Sequence, residues 1–412
     1  MPETSDRGLA APVTAGVVAA VVGFSSSFVV VLAGLVAVGA TAAQAASGLV
    51  ALCVMQALGM AWLSLRHRVP LALAWSTPGA ALMVSTGAVT GGWPAAVGAF
   101  LVAGALIVLT GLVPRLGDLV ASIPVPLARA MLAGVLLPLC VEPVVALADS
   151  PAEVAPVVLT WLVLLRLAPR WAVPASLAVA LLVVVVAAGD QVATGDLAPS
   201  LTLTTPHWTA SALLGLALPL YVVTMASQNV PGVAVMAGLG WRVPWREAMS
   251  VTGLATIAAS PFGGHAVNLA AITAAMTGGP DAGPDRERRW IAPVTAAVSY
   301  LVIAAGCGVL TALVAAAPEG VVQSAAGLAL LGVLAASLRE ALAEDEDRVP
   351  AVACLVVAAS GVTVLGVGAA FWALVTGLVV RAVLRTGVSD APTPPAHRSP
   401  GRPARRGGRR AA

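Results

Sequence analysis

Two interruptions of long apolar sequence carry the residue types from which an anion site can be built. The first interruption is Ser76-Thr77-Pro78-Gly79, and the second is Ser260-Pro261-Phe262-Gly263-Gly264. Proline and paired glycines break a helix, and a helix that begins at such a break presents unpaired N–H groups and the positive end of its dipole. Two such half-helices facing each other predict an anion-binding pocket. The alternative is that both prolines only kink packed helices; the matched positions in the two halves favour the pocket.

Polar side chains in the neighbouring apolar runs narrow the chemistry of this pocket. Gln228 and Asn229 are adjacent deep within one run, where desolvation favours a ligand contact or an interhelical bond. Ser26 lies in a serine triplet of the first run, and Asn268 follows the second interruption. The predicted substrate-binding residues are Ser26, Thr77, Gly79, Gln228, Asn229, Gly263, Gly264, His265 and Asn268.

His265 is the candidate for handling a proton. No Asp or Glu lies well inside an apolar run, so His265 is the titratable side chain predicted at the depth of the pocket. Histidine changes charge readily near neutral pH. We also expect His265 to lie at the start of the second half-helix, where the helix dipole disfavours a cation until an anion binds. The alternative is a neutral histidine whose ring is satisfied by a backbone carbonyl.

Other chemistries find little support in the sequence. All 22 residues counted as Lys+Arg are arginine, which removes Schiff-base and Walker-type lysines. The four cysteines, Cys53, Cys140, Cys307 and Cys354, share no spacing typical of a metal site and are interpreted as small buried apolar residues. The sequence therefore predicts no metal, no cofactor and no enzymatic activity.

The composition defines the class of protein. Of 412 residues, 59% are apolar and only 10% are charged, against about 25% charged in a soluble domain. A water-soluble fold cannot bury that apolar fraction. The chain is predicted to be an all-α polytopic membrane protein, which excludes a soluble enzyme or a nucleic-acid-binding protein.

About fourteen transmembrane segments can be counted, because a helix needs about 20 apolar residues to cross the hydrocarbon. Segments 3 and 10 contain the two interruptions and are predicted to be broken. Segment 10 comes seven positions after segment 3, and this odd offset gives the two segments opposite orientations in the membrane. The two halves therefore form a predicted inverted repeat, typical of a secondary transporter. The segments are 12–40, 44–65, 70–88, 93–113, 124–147, 152–169, 172–189, 208–236, 247–260, 264–278, 290–316, 319–338, 349–363 and 365–385.

The arginines orient these segments. With residues 1–11 placed inside, every arginine falls on the inner side, and the outer loops carry only acids. Basic residues in short loops mark the cytoplasmic side, so both termini are predicted to be cytoplasmic in a bacterial-type inner membrane. Residues 389–412 form an Arg/Pro/Gly-rich tail that is predicted to be disordered. Such a tail can contact anionic lipid headgroups.

Two motifs carry a family resemblance. Thr224-Met-Ala-Ser-Gln-Asn-Val-Pro-Gly232 and Ser260-Pro-Phe-Gly-Gly-His-Ala-Val-Asn-Leu-Ala-Ala-Ile-Thr273 resemble the benzoate/proton symporter (BenE-type) family, over nearly the whole chain up to about Arg385. That family is similar in architecture to nucleobase–cation symporters and sulfate permeases. The resemblance implies fourteen segments in a seven-plus-seven inverted repeat, with short strands before the half-helices. It also implies, within a transporter unit of residues 12–388, a core domain (12–113 and 208–316) and a gate domain (114–207 and 317–388), and it leaves a homodimer open.

The resemblance and the residues together predict a proton-coupled importer of benzoate or a related aromatic carboxylate that works by alternating access. Gln228 and His265 stand where nucleobase carriers have carboxylates, which argues against a nucleobase because its ring N–H donors need an acceptor. The alternatives are an uncoupled anion channel or facilitator, or a transporter of a nucleobase or another organic anion on the same fold. The sequence does not distinguish benzoate from a hydroxybenzoate.

Overall fold

The structure of the protein is a computed structural model. The predicted tail, residues 389–412, and the first residues of the predicted N-terminal segment lie outside the part that it describes. The described residues are 7–113, 115–117, 122–188, 201–365 and 367–386.

The first half of the chain is helical apart from one short strand. Helices dominate because each backbone group in a membrane must find its partner within its own segment. Helix α3, for example, begins at a capping box in which Thr41 and Gln44 exchange side-chain and backbone hydrogen bonds. The elements are α1 (Arg7–Ser25), α2 (Phe28–Ala37), α3 (Ala42–His67), β1 (Leu73–Trp75), α4 (Thr77–Thr86), α5 (Gly92–Leu112), α6 (Val125–Asp149), α7 (Pro151–Leu167) and α8 (Pro169–Ala188).

The second half follows the same plan. Its first helix, α9 (Ala210–Gly238), contains two π-helical stretches, Leu213–Ala217 and Met225–Asn229. Such local widening of a helix is frequent at functional sites. The remaining elements are α10 (Trp245–Ala259), β2 (Val267–Leu269), α11 (Ile272–Gly278), α12 (Ile291–Ala315), α13 (Val321–Ala341), α14 (Arg348–Ala359) and α15 (Ala369–Thr386).

These elements confirm the predicted fold class of a helical membrane protein. Among the described residues, eight helices are long and apolar enough to cross a membrane. Segments 3 and 10 are broken as predicted, because each consists of a short strand followed by a short helix. The other predicted segments coincide with described helices, which is consistent with a count of fourteen; the inverted repeat stays a prediction.

Strands β1 and β2 pair at the centre of the molecule. They are antiparallel, with Ala74 opposite Asn268 at the middle of the pairing. One further hydrogen bond extends the pairing at each end, from Ser76 N to Ala266 O (3.0 Å) and from Ala270 N to Ala72 O (3.0 Å). Extended backbone is tolerated at this depth because each strand satisfies the other and protein covers both.

This pairing corrects one part of the sequence analysis. Ser76 directly follows β1, and Ala270 directly follows β2, so these two residues hold the same position in their strand–helix segments. The second half-helix begins at Ile272. The expectation that it starts at Gly264–His265 is therefore wrong. Residues Ser260–Phe262 instead form a short 3₁₀ turn that ends α10, and Gly263 follows at φ +96°. A glycine with positive φ is the usual way to end a helix, so the second interruption closes a helix before the strand.

Candidate functional site

A cavity of about 110 Å³ lies beside the paired strands. Its walls come from the break between α1 and α2, from the first turns of α4 and α11, and from α6, α9, α12 and α13. One group of lining side chains can form hydrogen bonds, and the other is apolar. The first group is Ser26, Ser27, Thr77, Gln228, Thr273 and Tyr300, and the larger apolar residues are Val22, Trp75, Pro78, Leu136, Leu330 and Val333.

We call β1 with α4 the first strand–helix unit. Its helix is capped by Ser76, whose buried hydroxyl accepts a hydrogen bond from Gly79 N (3.1 Å) and another from Thr224 Oγ1 (2.9 Å). A Cβ on Gly79 would lie 2.5 Å from Leu220 Cδ1 and 2.8 Å from Ser76 Oγ. Gly79 is therefore required for close packing behind the cap. Trp75, Thr77 and Pro78 line the cavity from this unit, and Thr77 is the one of the three that carries a hydroxyl.

His265 lies behind this first unit. Its ring is fully buried, and its Nε2 lies 2.9 Å from the carbonyl oxygen of Ser76. A carbonyl can only accept, so Nε2 carries the hydrogen and Nδ1 is left as an acceptor. Nδ1 has no partner among the described residues, and the ring packs edge-on against Phe100 at 6.4 Å. His265 does not line the cavity, but it contacts the residue that precedes Thr77.

We call β2 with α11 the second strand–helix unit. Two asparagines hold its strand: Asn229 Oδ1 accepts a hydrogen bond from Leu269 N (2.8 Å), and Asn268, fully buried, has its amide facing Ser76 N and Leu269 O. The N-cap residue of α11 is Ala271, which offers no capping side chain. The second unit is therefore braced through its strand, and its helix begins without the cap found in the first unit.

The glycines of the second interruption have packing roles. A Cβ on Gly264 would lie 2.5 Å from Ala259 Cβ, and a Cβ on Gly263 would lie 3.0 Å from Gln44 O and 3.2 Å from Gly48 Cα. Gly48 itself approaches the backbone of Gly263. Close backbone contact of this kind is typical of glycines between membrane helices.

The structure thus divides the nine sequence-predicted residues into two groups. Ser26, Thr77 and Gln228 line the cavity. The others surround the paired strands behind it, where they cap, brace or pack; they are Gly79, Asn229, Gly263, Gly264, His265 and Asn268.

Four residues of the cavity wall that can form hydrogen bonds were not among the predicted substrate-binding residues; they are Ser27, Trp75, Thr273 and Tyr300. Trp75 packs edge-on against Tyr300 (6.1 Å between ring centroids) and donates from Nε1 to Ser27 Oγ (2.8 Å). Thr273 lies in the first turn of α11. Tyr300 is one of only two tyrosines in the chain, and a polar ring in a largely apolar helix was the available signal. Thr273 is one of the polar side chains of its apolar run, and that hydroxyl was the available signal.

The comparisons with known proteins agree on one family. The family model described as benzoate membrane transport protein matches residues 8–383. The inner membrane protein YdcO of Escherichia coli (strain K12) is 40% identical over 372 residues, which cover 90% of this chain and 95% of that protein. A benzoate membrane transport protein of Acinetobacter baylyi is 30% identical over 336 residues, covering 78% of this chain and 82% of that protein.

Solved structures agree on the fold. The transmembrane domain of the cyanobacterial bicarbonate transporter BicA matches with a TM-score of 0.55 at 17% identity, covering 92% of this chain and 98% of that chain. SLC26A9 matches with a TM-score of 0.62 at 11% identity, covering 92% of this chain and 65% of that chain. At these identities the likeness shows a shared fold alone, and it confirms the predicted fold class.

Proposed function

Because the chain belongs to the benzoate membrane transport protein family, we propose that it imports benzoate or a related aromatic carboxylate together with a proton. Substrate and proton would cross by alternating access. Family membership establishes that the protein is a membrane transporter. The identity of the substrate, the coupling to a proton and the alternating-access mechanism are what we propose.

The cavity beside the paired strands is the observation that carries this proposal. Its volume, about 110 Å³, is somewhat below the roughly 150 Å³ of an apolar cavity known to hold benzene, so benzoate would require the cavity walls to move apart slightly. Trp75 and Tyr300 offer ring faces and edges, and Leu136, Leu330 and Val333 form an apolar wall. A flat aromatic ring fits such walls, while its carboxylate would turn to the hydroxyl and amide groups on the strand side.

Alternating access is supported by where the walls come from. Leu136, Leu330 and Val333 belong to α6 and α13 of the predicted gate domain, whereas the polar lining belongs to the predicted core domain. Helices α6 and α13 pack along each other, as do α5 with α10 and α3 with α12. Each predicted domain thus has its own internal packing, and a movement of one against the other would open the cavity to either side.

The proton is proposed to bind His265. Nδ1 is a buried acceptor without a partner among the described residues, and Nε2 contacts the carbonyl of Ser76, next to Thr77 in the cavity wall. A proton on the ring would add positive charge behind the site, which favours an anion in the cavity. By linkage, the bound anion would favour the proton equally, and this reciprocity is what symport requires.

Two alternatives make different predictions. A nucleobase is disfavoured, because the described cavity wall carries no Asp or Glu to accept its ring N–H groups. An uncoupled facilitator on the same fold would equilibrate benzoate without concentrating it.

The test is uptake of labelled benzoate by purified protein in liposomes, with and without an inward proton gradient. Empty liposomes correct for passive entry of benzoic acid. We expect saturable uptake that exceeds equilibrium when the gradient is imposed and that collapses when an ionophore removes it. Uptake that never exceeds equilibrium would indicate an uncoupled facilitator instead of a symporter. The absence of any protein-dependent uptake would refute the proposed function.

A further inference from the structure

Two side chains of the cavity wall are largely buried and carry hydroxyl groups for which the described residues provide no hydrogen-bond partner. Thr273 is only 8% exposed, and its Oγ1 is buried with no partner among the described residues. Tyr300 is only 3% exposed, and no hydrogen bond to its hydroxyl is found in the described part of the chain. Burying a hydroxyl without a partner costs free energy. Both side chains line the cavity, so a ligand there can remove that cost.

These two side chains lie side by side against Gly23. A Cβ on Gly23 would lie 2.6 Å from the Tyr300 hydroxyl and 3.2 Å from Thr273 Cγ2. Gly23 therefore leaves the space that both side chains use. The residues come from different helices, Thr273 from α11 and Tyr300 from α12, and they converge on one point of the wall.

The other serine and threonine side chains of the wall differ from this pair. Ser26 Oγ and Ser27 Oγ donate to the carbonyl of Gly23, at 3.0 and 3.4 Å, and Ser27 also accepts from Trp75 Nε1. Thr77 is half-buried, so water can satisfy its hydroxyl. Thr273 and Tyr300 are more than nine-tenths buried, and the described part of the chain offers no such partner to either hydroxyl.

Resting on the proposed function, we propose that Thr273 and Tyr300 form the carboxylate subsite and donate one hydrogen bond each to the substrate anion. A carboxylate is the acceptor that two adjacent hydroxyl donors satisfy best, because hydrogen bonds to a charged oxygen are about twice as strong as neutral ones. The described cavity wall has no Arg or Lys to do this instead. The subsite favours a planar carboxylate over its neutral amide, because both hydroxyls can then donate to charged oxygens, whereas the amide offers a single neutral acceptor oxygen.

The experiment measures the Kd of benzoate and of benzamide, and the melting temperature, for purified variants in detergent. Thr273→Val and Tyr300→Phe keep the shape and remove one donor each. We expect each to weaken benzoate binding by about 10- to 100-fold, the range for a lost hydrogen bond to a charged group. The ratio of the benzamide Kd to the benzoate Kd should fall as well. Thr273→Ser keeps the hydroxyl and should therefore keep most of the affinity for benzoate.

Two matched controls separate binding from structure. Thr277 lies one turn after Thr273 and donates to its carbonyl (3.0 Å), and Tyr221 contacts Thr110 Oγ1 through its hydroxyl (2.5 Å); neither lines the cavity. Thr277→Val and Tyr221→Phe should lower the melting temperature and leave Kd unchanged. Thr273→Val should do the reverse, because it removes a buried group that the empty protein leaves unpaired.

The inference is overturned if Thr273→Val and Tyr300→Phe bind benzoate as tightly as the unmodified protein. The Kd of a hydroxybenzoate is measured as well, and the inference is also overturned if the variants weaken only that binding, since the hydroxyls would then serve a substituent on the ring. Benzoate uptake by the unmodified protein is measured in parallel. Its absence refutes the proposed function, whereas normal uptake with unaffected variants refutes the carboxylate subsite alone.

Discussion

The two strand–helix units share a backbone plan but differ in how their first turns are satisfied. In the first unit, Ser76 N bonds Ala266 O, Pro78 has no N–H, and Gly79 N bonds the Ser76 hydroxyl, which Thr224 also contacts. In the second unit, Ala271 provides no cap and the Thr273 hydroxyl has no partner among the described residues.

This difference separates anchoring from binding. A polar group that is already bonded stabilises the empty protein, whereas a buried unpaired group destabilises it and is satisfied only when a ligand arrives. The first unit therefore acts as the anchor and holds His265 behind it. In the proposed site, the second unit would supply a ligand contact through Thr273. Substitutions in the first unit should act on stability or on the proton, and those in the second unit on substrate affinity.

The largest expected effect comes from filling the space behind the first cap. Gly79→Val would place side-chain atoms against Leu220 and Ser76, so the cap cannot form and α4 must shift. We expect benzoate uptake to be abolished while the protein still reaches the membrane. Gly238→Ala is the control, because a Cβ there meets nothing within 4 Å. Wild-type uptake by Gly79→Val would show that the first unit does not position the site.

A smaller effect is expected from substituting Gln228 or Asn229, and it should distinguish the roles of these two adjacent residues. Gln228→Ala removes a cavity side chain and should weaken benzoate binding by about 1–3 kcal/mol, as expected for a lost hydrogen bond to a charged ligand. Asn229→Ala instead removes the acceptor for Leu269 N and should lower the melting temperature of the ligand-free protein. Benzoate-induced thermal stabilisation measures the first effect. If both variants change only the melting temperature, Gln228 is structural as well.

The smallest effect is expected from removing the Ser76 cap, and it is a loss of stability. Ser76→Ala leaves Gly79 N and Thr224 Oγ1 without their shared acceptor and should cost about 1 kcal/mol of stability, the usual price of an N-cap. Thermal unfolding of the variant should show this loss, with benzoate affinity retained. A large loss of affinity with unchanged melting would reverse the roles assigned to the two units.

Much of the fold follows from apolar runs alone. The segments, the two breaks and three cavity residues, Ser26, Thr77 and Gln228, were predictable because run length and helix breakers are local signals. The register between β1 and β2 was not, since three-residue strands far apart in the chain leave no periodic pattern. The second half-helix was predicted to start at Gly264–His265, although the positive φ of the preceding Gly263 ends a helix.

The missing part of the site has a similar cause. Tyr300 faces the cavity because of the rotational position of α12, and Thr273 because α11 begins at Ile272. Both facts depend on tertiary packing. The sequence also could not show that the side-chain amides of Asn229 and Asn268 are hydrogen-bonded to the backbone around the paired strands. An amide in an apolar run can bind a ligand or a neighbouring backbone equally well.

Proton coupling through His265 is tested most directly by comparing exchange with accumulation in His265→Gln. Glutamine can still donate to the Ser76 carbonyl but cannot take up a proton near neutral pH. Liposomes containing this variant should exchange labelled for unlabelled benzoate as the unmodified protein does, yet fail to concentrate benzoate under an inward proton gradient. Concentration of benzoate by His265→Gln with an unchanged dependence on the gradient would contradict the account and place the coupled proton elsewhere.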